Sequence, residues 1–188
     1  KIKNINLRNI CYVGEISKNR GIMELLKALS LTKTEVTLNL AGYMNDPKFE
    51  IKLKKMKEWK NVKYFGFLNR KKLNHLYDKS TIGIVTLHPI KKFFFSLPIK
   101  LFEYMSYGLP VIVSNFNSFK NIISFNKKKC GLLVNPKNPH EIAKAIDELF
   151  SNKKKRLEMG NLGKKIVKEK FNWIKEEKKL LDFYKSII

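Results

Sequence analysis

The chain has 188 residues, room for one domain or at most two small ones. At 44% hydrophobic and 12% aromatic it can bury a full core, which excludes a disordered tail. Its 39 Lys+Arg against 16 Asp+Glu give a formal net charge of +23, which points toward an anionic partner such as nucleic acid, an anionic membrane or a phosphorylated ligand.

The pattern alternates strand and helix almost from end to end. Asn9–Gly14 is a short apolar run closed by glycine, and Arg20–Leu31 carries a helical stripe of Ile22, Met23, Leu25, Leu26, Ala28 and Leu29. Glu35–Gly42 is a second strand, Asp46–Lys60 a helix with a very basic face, and Asn61–Gly66 a third strand. A short helix over Asn69–Lys79 leads to a fourth strand at Thr81–Leu87. Pro98–Tyr107 reads as a helix, Leu109–Ser114 as the fifth strand, Ser118–Phe125 as a helix and Cys130–Val134 as the sixth strand. Asn138-Pro139-His140-Glu141 is a helix start, with Asn as N-cap, Pro in the first turn and Glu closing a capping box. A polar helix over Lys153–Lys170 follows, then a terminal amphipathic helix marked by Trp173, Ile174, Leu180, Leu181, Tyr184, Ile187 and Ile188.

Six short apolar strands separated by helices specify an α/β fold, a doubly wound parallel sheet with C-terminal helices. Such sheets bind ligands at the carboxyl ends of their strands, near the topological switch point. Three strands end in glycine (Gly14, Gly42, Gly66), which lets the backbone approach a ligand closely. Cys11 and Cys130 lie in apolar runs and read as buried free thiols. No apolar run approaches the ~18 residues of a spanning helix, and no signal peptide is visible. The chain starts at Lys1 and is expected to be a piece of a longer protein.

Only four of the basic residues are arginine (Arg8, Arg20, Arg70, Arg156). A lysine bias of that size, with many Asn and Ile, reads as the drift of an AT-rich coding sequence, so total charge identifies no ligand. The aromatics fall in strands and on the buried sides of helices rather than interleaved with lysines, which argues against a nucleic-acid platform.

Motif exclusions narrow the chemistry. No G-x-G-x-x-G follows the first strand, and P-loop, H-E-x-x-H, C-x-x-C and paired Asp-x-Asp patterns are lacking. His75 and His140 read as solvated helix residues, whereas His88 follows the fourth strand at the predicted carboxyl edge and stays a candidate. The informative stretch is Ser96–Asn115, SLPIKLFEYMSYGLPVIVSN. Proline at its helix start leaves free backbone N–H groups, an anion site in waiting. Lys100 in that first turn is unfavourable against the helix dipole unless an anion binds nearby. Glu103, one turn on in an otherwise apolar helix, suits a ribose diol; a Lys100–Glu103 i,i+3 surface pair is the competing reading.

That stretch resembles the donor-binding signature of family 4 glycosyltransferases with the GT-B fold, in the branch reading Pro-x-Lys-x-Phe-Glu-Tyr-Met. Similar too are Tyr12–Ile22, Leu38–Met44, Val62–Tyr77, Cys130–Ile146 and Phe171–Tyr184, in family order and spacing. The resemblance implies a retaining hexosyltransferase-type enzyme that takes a sugar from a UDP- or GDP-linked donor, with no cofactor and no metal. It assigns Glu103 to the nucleotide ribose, Lys100 to catalysis with it, and Ser96, Leu97, Pro98 and Ile99 to a turn whose amides face the distal phosphate and the sugar. Arg20 matches the basic residue that neutralises the diphosphate, Gly14 the glycine beside the phosphates, and Phe67 and Leu68 the segment lining the base pocket.

Two positions depart from the pattern. Glu15 stands where most members have Arg or Gly, and an acid there repels a diphosphate unless it turns away. Phe95 stands where many have a Glu that contacts the donor hexose, so Lys100 or Ser96 is expected to take part of that role.

The resemblance further implies that residues 1–188 are a single nucleotide-sugar-binding domain, that an N-terminal acceptor domain lies outside this chain, and that residues 171–188 cross to it. Expected partners are the nucleotide-sugar donor and, through that other domain, an acceptor glycan or lipid-linked glycan of a surface polysaccharide such as capsule or lipopolysaccharide. Expected location is the cytoplasm, with peripheral contact at the inner face of the membrane, where each Lys near an anionic leaflet adds ~1 kcal/mol; no nucleic acid is expected. Alternatives are a basic nucleic-acid- or membrane-binding module without catalysis, or a nucleotide-sugar epimerase.

Overall fold

The computed structural model describes residues 8–187; Ile188 of the terminal stripe lies outside them. Six strands, β1 (Asn9–Val13), β2 (Thr37–Ala41), β3 (Val62–Tyr64), β4 (Ile82–Val85), β5 (Val111–Ser114) and β8 (Gly131–Val134), form one sheet in the order β3-β2-β1-β4-β5-β8. Every neighbouring pair is parallel. The expected doubly wound sheet is therefore present, and the strand order reverses between β1 and β4, which fixes the switch point there.

Alternation along the strands sorts the core into two layers. Ile10, Tyr12, Leu38, Leu40, Ile82, Ile84 and Ile112 face α1 (Ile22–Leu29) and α7 (Pro139–Ser151). Cys11, Ala41, Val85, Val111 and Val113 face α3 (Arg70–Asp78), α5 (Ile99–Ser106), α6 (Asn117–Ile123) and α8 (Lys153–Lys170). Both cysteines are buried and neither is in a disulfide, and His75 and His140 are exposed, as the sequence implies.

Several local expectations are corrected. The Asp46–Lys60 helix is shorter: α2 spans Pro47–Lys54, and Met56 turns to extended backbone before a 3-10 turn at Lys57–Asn61. That break brings Trp59 against the core and 6.2 Å from the Tyr64 ring. Ser124–Phe125 is not helical but forms β6, paired antiparallel with β7 (Lys128–Lys129). Asn126 and Lys127 between them both take positive φ, 46° and 62°, the combination of a tight hairpin turn. A one-turn helix unforeseen in the sequence, α4, covers Lys91–Phe94.

Asn138 caps α7 through the amides of His140 and Glu141, but Glu141 does not close a reciprocal box. Its carboxylate instead accepts from the Asn135 amide and the Asn138 side chain, so it ties the strand exit to the helix start. The terminal helix α9 (Trp173–Ile187) is present, with none of its residues buried. Among the described residues no helix is long and apolar enough to cross a membrane.

Candidate functional site

The carboxyl ends of β1, β2 and β3 are drawn together by glycine. Gly14 N–H donates to Ala41 O at 2.9 Å and Gly42 N–H to Gly66 O at 2.8 Å. A Cβ on Gly42, at φ 139°, would lie 1.9 Å from Gly14 O, so no side chain fits at that crossing. Beside it Tyr43 and Phe67 stack with ring centroids 4.9 Å apart. With Leu68, Val13 and Gly14 they line a cleft of about 200 Å³.

The loop after β1 packs onto the end of β4. Gly21 adopts φ 72°, and a Cβ there would meet Thr86 O at 2.1 Å. Arg20, just before it, is bound to Glu15 (Nη2 to Oε2, 3.0 Å) and lies 4.7 Å over the Phe93 ring of α4. The Arg20 hydrogen bond pulls the Glu15 carboxyl below its usual range, so the pair is ionic. The acid that departs from the family pattern is thus turned onto the very cation expected to meet a diphosphate. His88 is nearly buried; its Nε2 lies 3.0 Å from Glu24 of α1 and its amide donates to Asn19 O. It ties the end of β4 to that loop, so the histidine the sequence left open has a tethering role.

Opposite, α5 presents its N-terminus with Pro98 as an uncharged cap. The amides of Ile99 and Lys100 precede the helix's first bond, Leu101 N–H to Pro98 O at 2.9 Å, and stay unused by the helix. The amide of Ser96 is turned back, donating to Phe93 O at 3.3 Å, and its hydroxyl donates to the same carbonyl at 3.0 Å. Ser96 therefore closes α4, with its amide engaged inside the chain. Phe95, Leu97 and Ile99 are exposed at the lip, Phe95 by 90%.

Lys100 does not pair with Glu103. Its Nζ is shielded from solvent and has no hydrogen-bond partner among the described residues. It sits 3.8 Å over the Tyr12 ring and against Gly14, where an added Cβ would lie 2.9 Å from it. Burial, reinforced by the nearby Arg20 guanidinium, pulls the amine down to about 7. A shielded amine of that kind gains charge readily when an anion arrives.

Glu103 has other partners: Oε1 accepts from Arg70 of α3, and Oε2 from the Tyr77 hydroxyl at 2.8 Å. Tyr104, the next residue of α5, accepts the Val13 amide at 2.8 Å and so joins α5 to the end of β1. The structure thus brings Gly14, Arg20, Lys100, Ile99 and Glu103 around one sheet edge. Sequence reasoning missed Arg70, Tyr77, Tyr43 and Phe93. No cluster of three or more His, Cys, Asp or Glu that could hold a metal occurs among the described residues.

A family model described as glycosyl transferases group 1 matches residues 2–166. The chain belongs to that family. It is 28% identical over 184 residues to the uncharacterized glycosyltransferase MJ1607 of Methanocaldococcus jannaschii, covering 94% of this chain and 44% of that protein. It is 25% identical to spore coat protein SA of Bacillus subtilis, covering 94% and 48%. The chain thus spans less than half the length of these curated relatives.

Among solved structures, the fold matches sucrose-phosphate synthase from Thermosynechococcus elongatus with TM-score 0.83 at 20% identity, over 97% of this chain and 46% of that one. Anabaena HepE in complex with UDP gives 0.82 at 17% identity, over 96% and 49%. The C-terminal domain of the group 1 family protein LpcC from Francisella tularensis gives 0.72 at 24% identity, over 88% and 86%. This family assignment agrees with the resemblance carried by the Ser96–Asn115 signature.

Proposed function

We propose that this chain is the donor-binding part of a retaining glycosyltransferase, and that it binds a nucleoside diphosphate sugar at the carboxyl edge between β1 and α5. The observation that carries this reading is the unpartnered, shielded Lys100 Nζ beside Gly14, aimed at the same edge as the α5 N-terminus. An anion bound there satisfies the amine, the open amides and the helix dipole together. Glu103 lies one turn away and takes the ribose diol; Tyr43 and Phe67 flank the cleft for the base.

In this reading Lys100 and, once released from Glu15, Arg20 meet the diphosphate charge in place of a metal. Each such charge-assisted contact supplies ~1.5–3 kcal/mol. As the sugar–phosphate bond breaks, negative charge grows on the departing diphosphate, so these groups stabilise the transition state more than the ground state. The acceptor is a surface polysaccharide or glycolipid, and the enzyme works in the cytoplasm with its basic surface against an anionic leaflet. That the bound UDP of the HepE structure sits in a protein of the same fold supports a nucleotide donor. The exposed apolar stripe of α9, including Trp173 and Ile174, supports its packing on protein outside residues 8–187. We infer that the chain alone binds donor and does not transfer it.

Calorimetric titration with UDP, GDP and their sugars, with a short DNA duplex as control, tests the reading. Binding of one nucleotide with micromolar to millimolar affinity supports it. No nucleotide binding at millimolar concentration, with DNA bound on a steep salt slope, contradicts it.

A further inference from the structure

Glu103 has one partner that is fixed and one that can leave. Tyr77 is fully buried; its ring packs edge-on against Tyr104 (5.6 Å, 81°) and tilted against Tyr107 (5.0 Å, 57°). Its hydroxyl reaches Glu103 Oε2 at 2.8 Å from a ring that has no other place to go. Arg70, on the first turn of α3, holds Oε1 from a side chain that is 65% exposed. The exposed guanidinium exchanges its carboxylate for water or ligand at small cost, whereas a packed phenol does not move without opening the core.

This asymmetry matters because the last torsion of a glutamate is broad and sets no carboxylate plane by itself. Something outside the side chain must fix the plane if the two oxygens are to meet a vicinal diol. A carboxylate offers about four lone-pair sites, so a single bond to Oε2 fixes the plane and still leaves acceptors for two hydroxyls.

We propose that Tyr77 is the positioning residue that orients the Glu103 carboxylate for a ribose diol, with Arg70 as the exchangeable cap on the other oxygen, and so sets the preference for ribonucleotides. The proposal rests on the donor-site reading above. Tyr77 touches no ligand; it acts through Glu103. Burial and the adjoining carboxylate push its phenol well above the usual tyrosine range, so it remains a donor at every working pH.

The test compares UDP with 2′,3′-dideoxy-UDP, which lacks the diol, by calorimetry on the 188-residue chain. The parent is expected to prefer UDP by about tenfold or more, the scale of a hydrogen bond to a charged group. Tyr77→Phe is expected to bind the dideoxy compound as the parent does and to prefer UDP by less than about threefold. In a Glu103→Ala background, Tyr77→Phe is expected to change the ratio no further, since the two act as a unit.

Equal weakening of both ligands with the ratio kept, or an additive loss in the Glu103→Ala background, overturns the positioning role while the donor reading stands. A parent that binds neither ligand overturns the donor reading and the proposal with it. If Tyr77→Phe does not fold, 3-fluorotyrosine at position 77 keeps the ring and strengthens its donor. The ratio is then expected to rise, and an unchanged ratio overturns the proposal.

Discussion

Glu15 Oε2 lies 3.0 Å from Arg20 Nη2, so one of the two cations proposed to meet a diphosphate is already neutralised from within the chain. The glutamate side chain is 47% exposed and its partner 23%, so water screens the pair and its net worth is small. Glu15→Gln should therefore leave thermal stability almost unchanged while freeing Arg20, and raise affinity for UDP or GDP by up to ~5-fold, the upper end for an exposed pair. Calorimetry beside a melting curve checks both halves. A variant that binds less tightly would place Glu15 in contact with the donor.

Lys100 gives the site a pH signature. With its amine near 7 in the empty protein, much of it is neutral above that pH, and a bound phosphate raises it. Binding at pH 8 should then take up close to one proton, seen as a binding enthalpy that varies with the ionisation enthalpy of the buffer. Affinity should fall as pH rises from 7 to 9, and Lys100→Met should abolish the proton uptake.

The same group affects folding. Its native value lies below that of the unfolded chain, so the unfolded state binds more protons between about 7 and 10.5. The cost to stability is full below pH 7 and disappears as pH rises through that window. Lys100→Met should accordingly melt higher than the parent at pH 6, with the difference shrinking toward pH 10.

Arg70 and Glu103 make a prediction with two signs. Glu103→Ala should weaken nucleotide binding by about tenfold or more, the loss of charge-assisted hydrogen bonds. Arg70→Gln, which removes only the exposed cap, should cost less than ~1 kcal/mol of stability and leave nucleotide affinity equal or somewhat tighter. Weaker binding by Arg70→Gln would show that the guanidinium contacts the ligand.

Tyr104→Phe tests the link between α5 and β1. The Val13 amide loses its acceptor at 2.8 Å in a part-buried setting, which should cost about 1 kcal/mol or more by chemical denaturation. Nucleotide affinity should drop too, because the bond sets the distance between Gly14 and the α5 N-terminus. Gly83→Ala offers the steric counterpart, since its Cβ would lie 2.4 Å from the Tyr104 ring.

The strand–helix alternation made the sheet legible, because parallel strands buried on both faces appear as short apolar runs. The Ser96–Asn115 segment made α5 legible as well, since its cap, stripe and exit are all local. Arg70 and Tyr77 were not legible by pattern: their role depends on how α3 lies against α5, a tertiary relation that no local spacing encodes. One signal did exist in composition. In a chain where lysine has displaced arginine almost everywhere, three of the four arginines donate to a specific acceptor. Arg20 meets Glu15, Arg70 meets Glu103, and Arg156 donates to the carbonyls of Leu149 and Phe150. The hairpin at Ser124–Lys129 is hidden in the sequence because Phe119, Ile122 and Ile123 give a helical stripe that runs up to it, while only Asn126 marks the turn.

The most direct test of the account is an amide NMR titration of the isotope-labelled chain with whichever of UDP or GDP binds. Shifts are expected to concentrate at Gly14, Ile99, Lys100 and Glu103, with Phe67 and Leu68 following the base. Shifts spread over the lysine-rich surfaces of α2 and α8, with the α5 N-terminus silent, would contradict it.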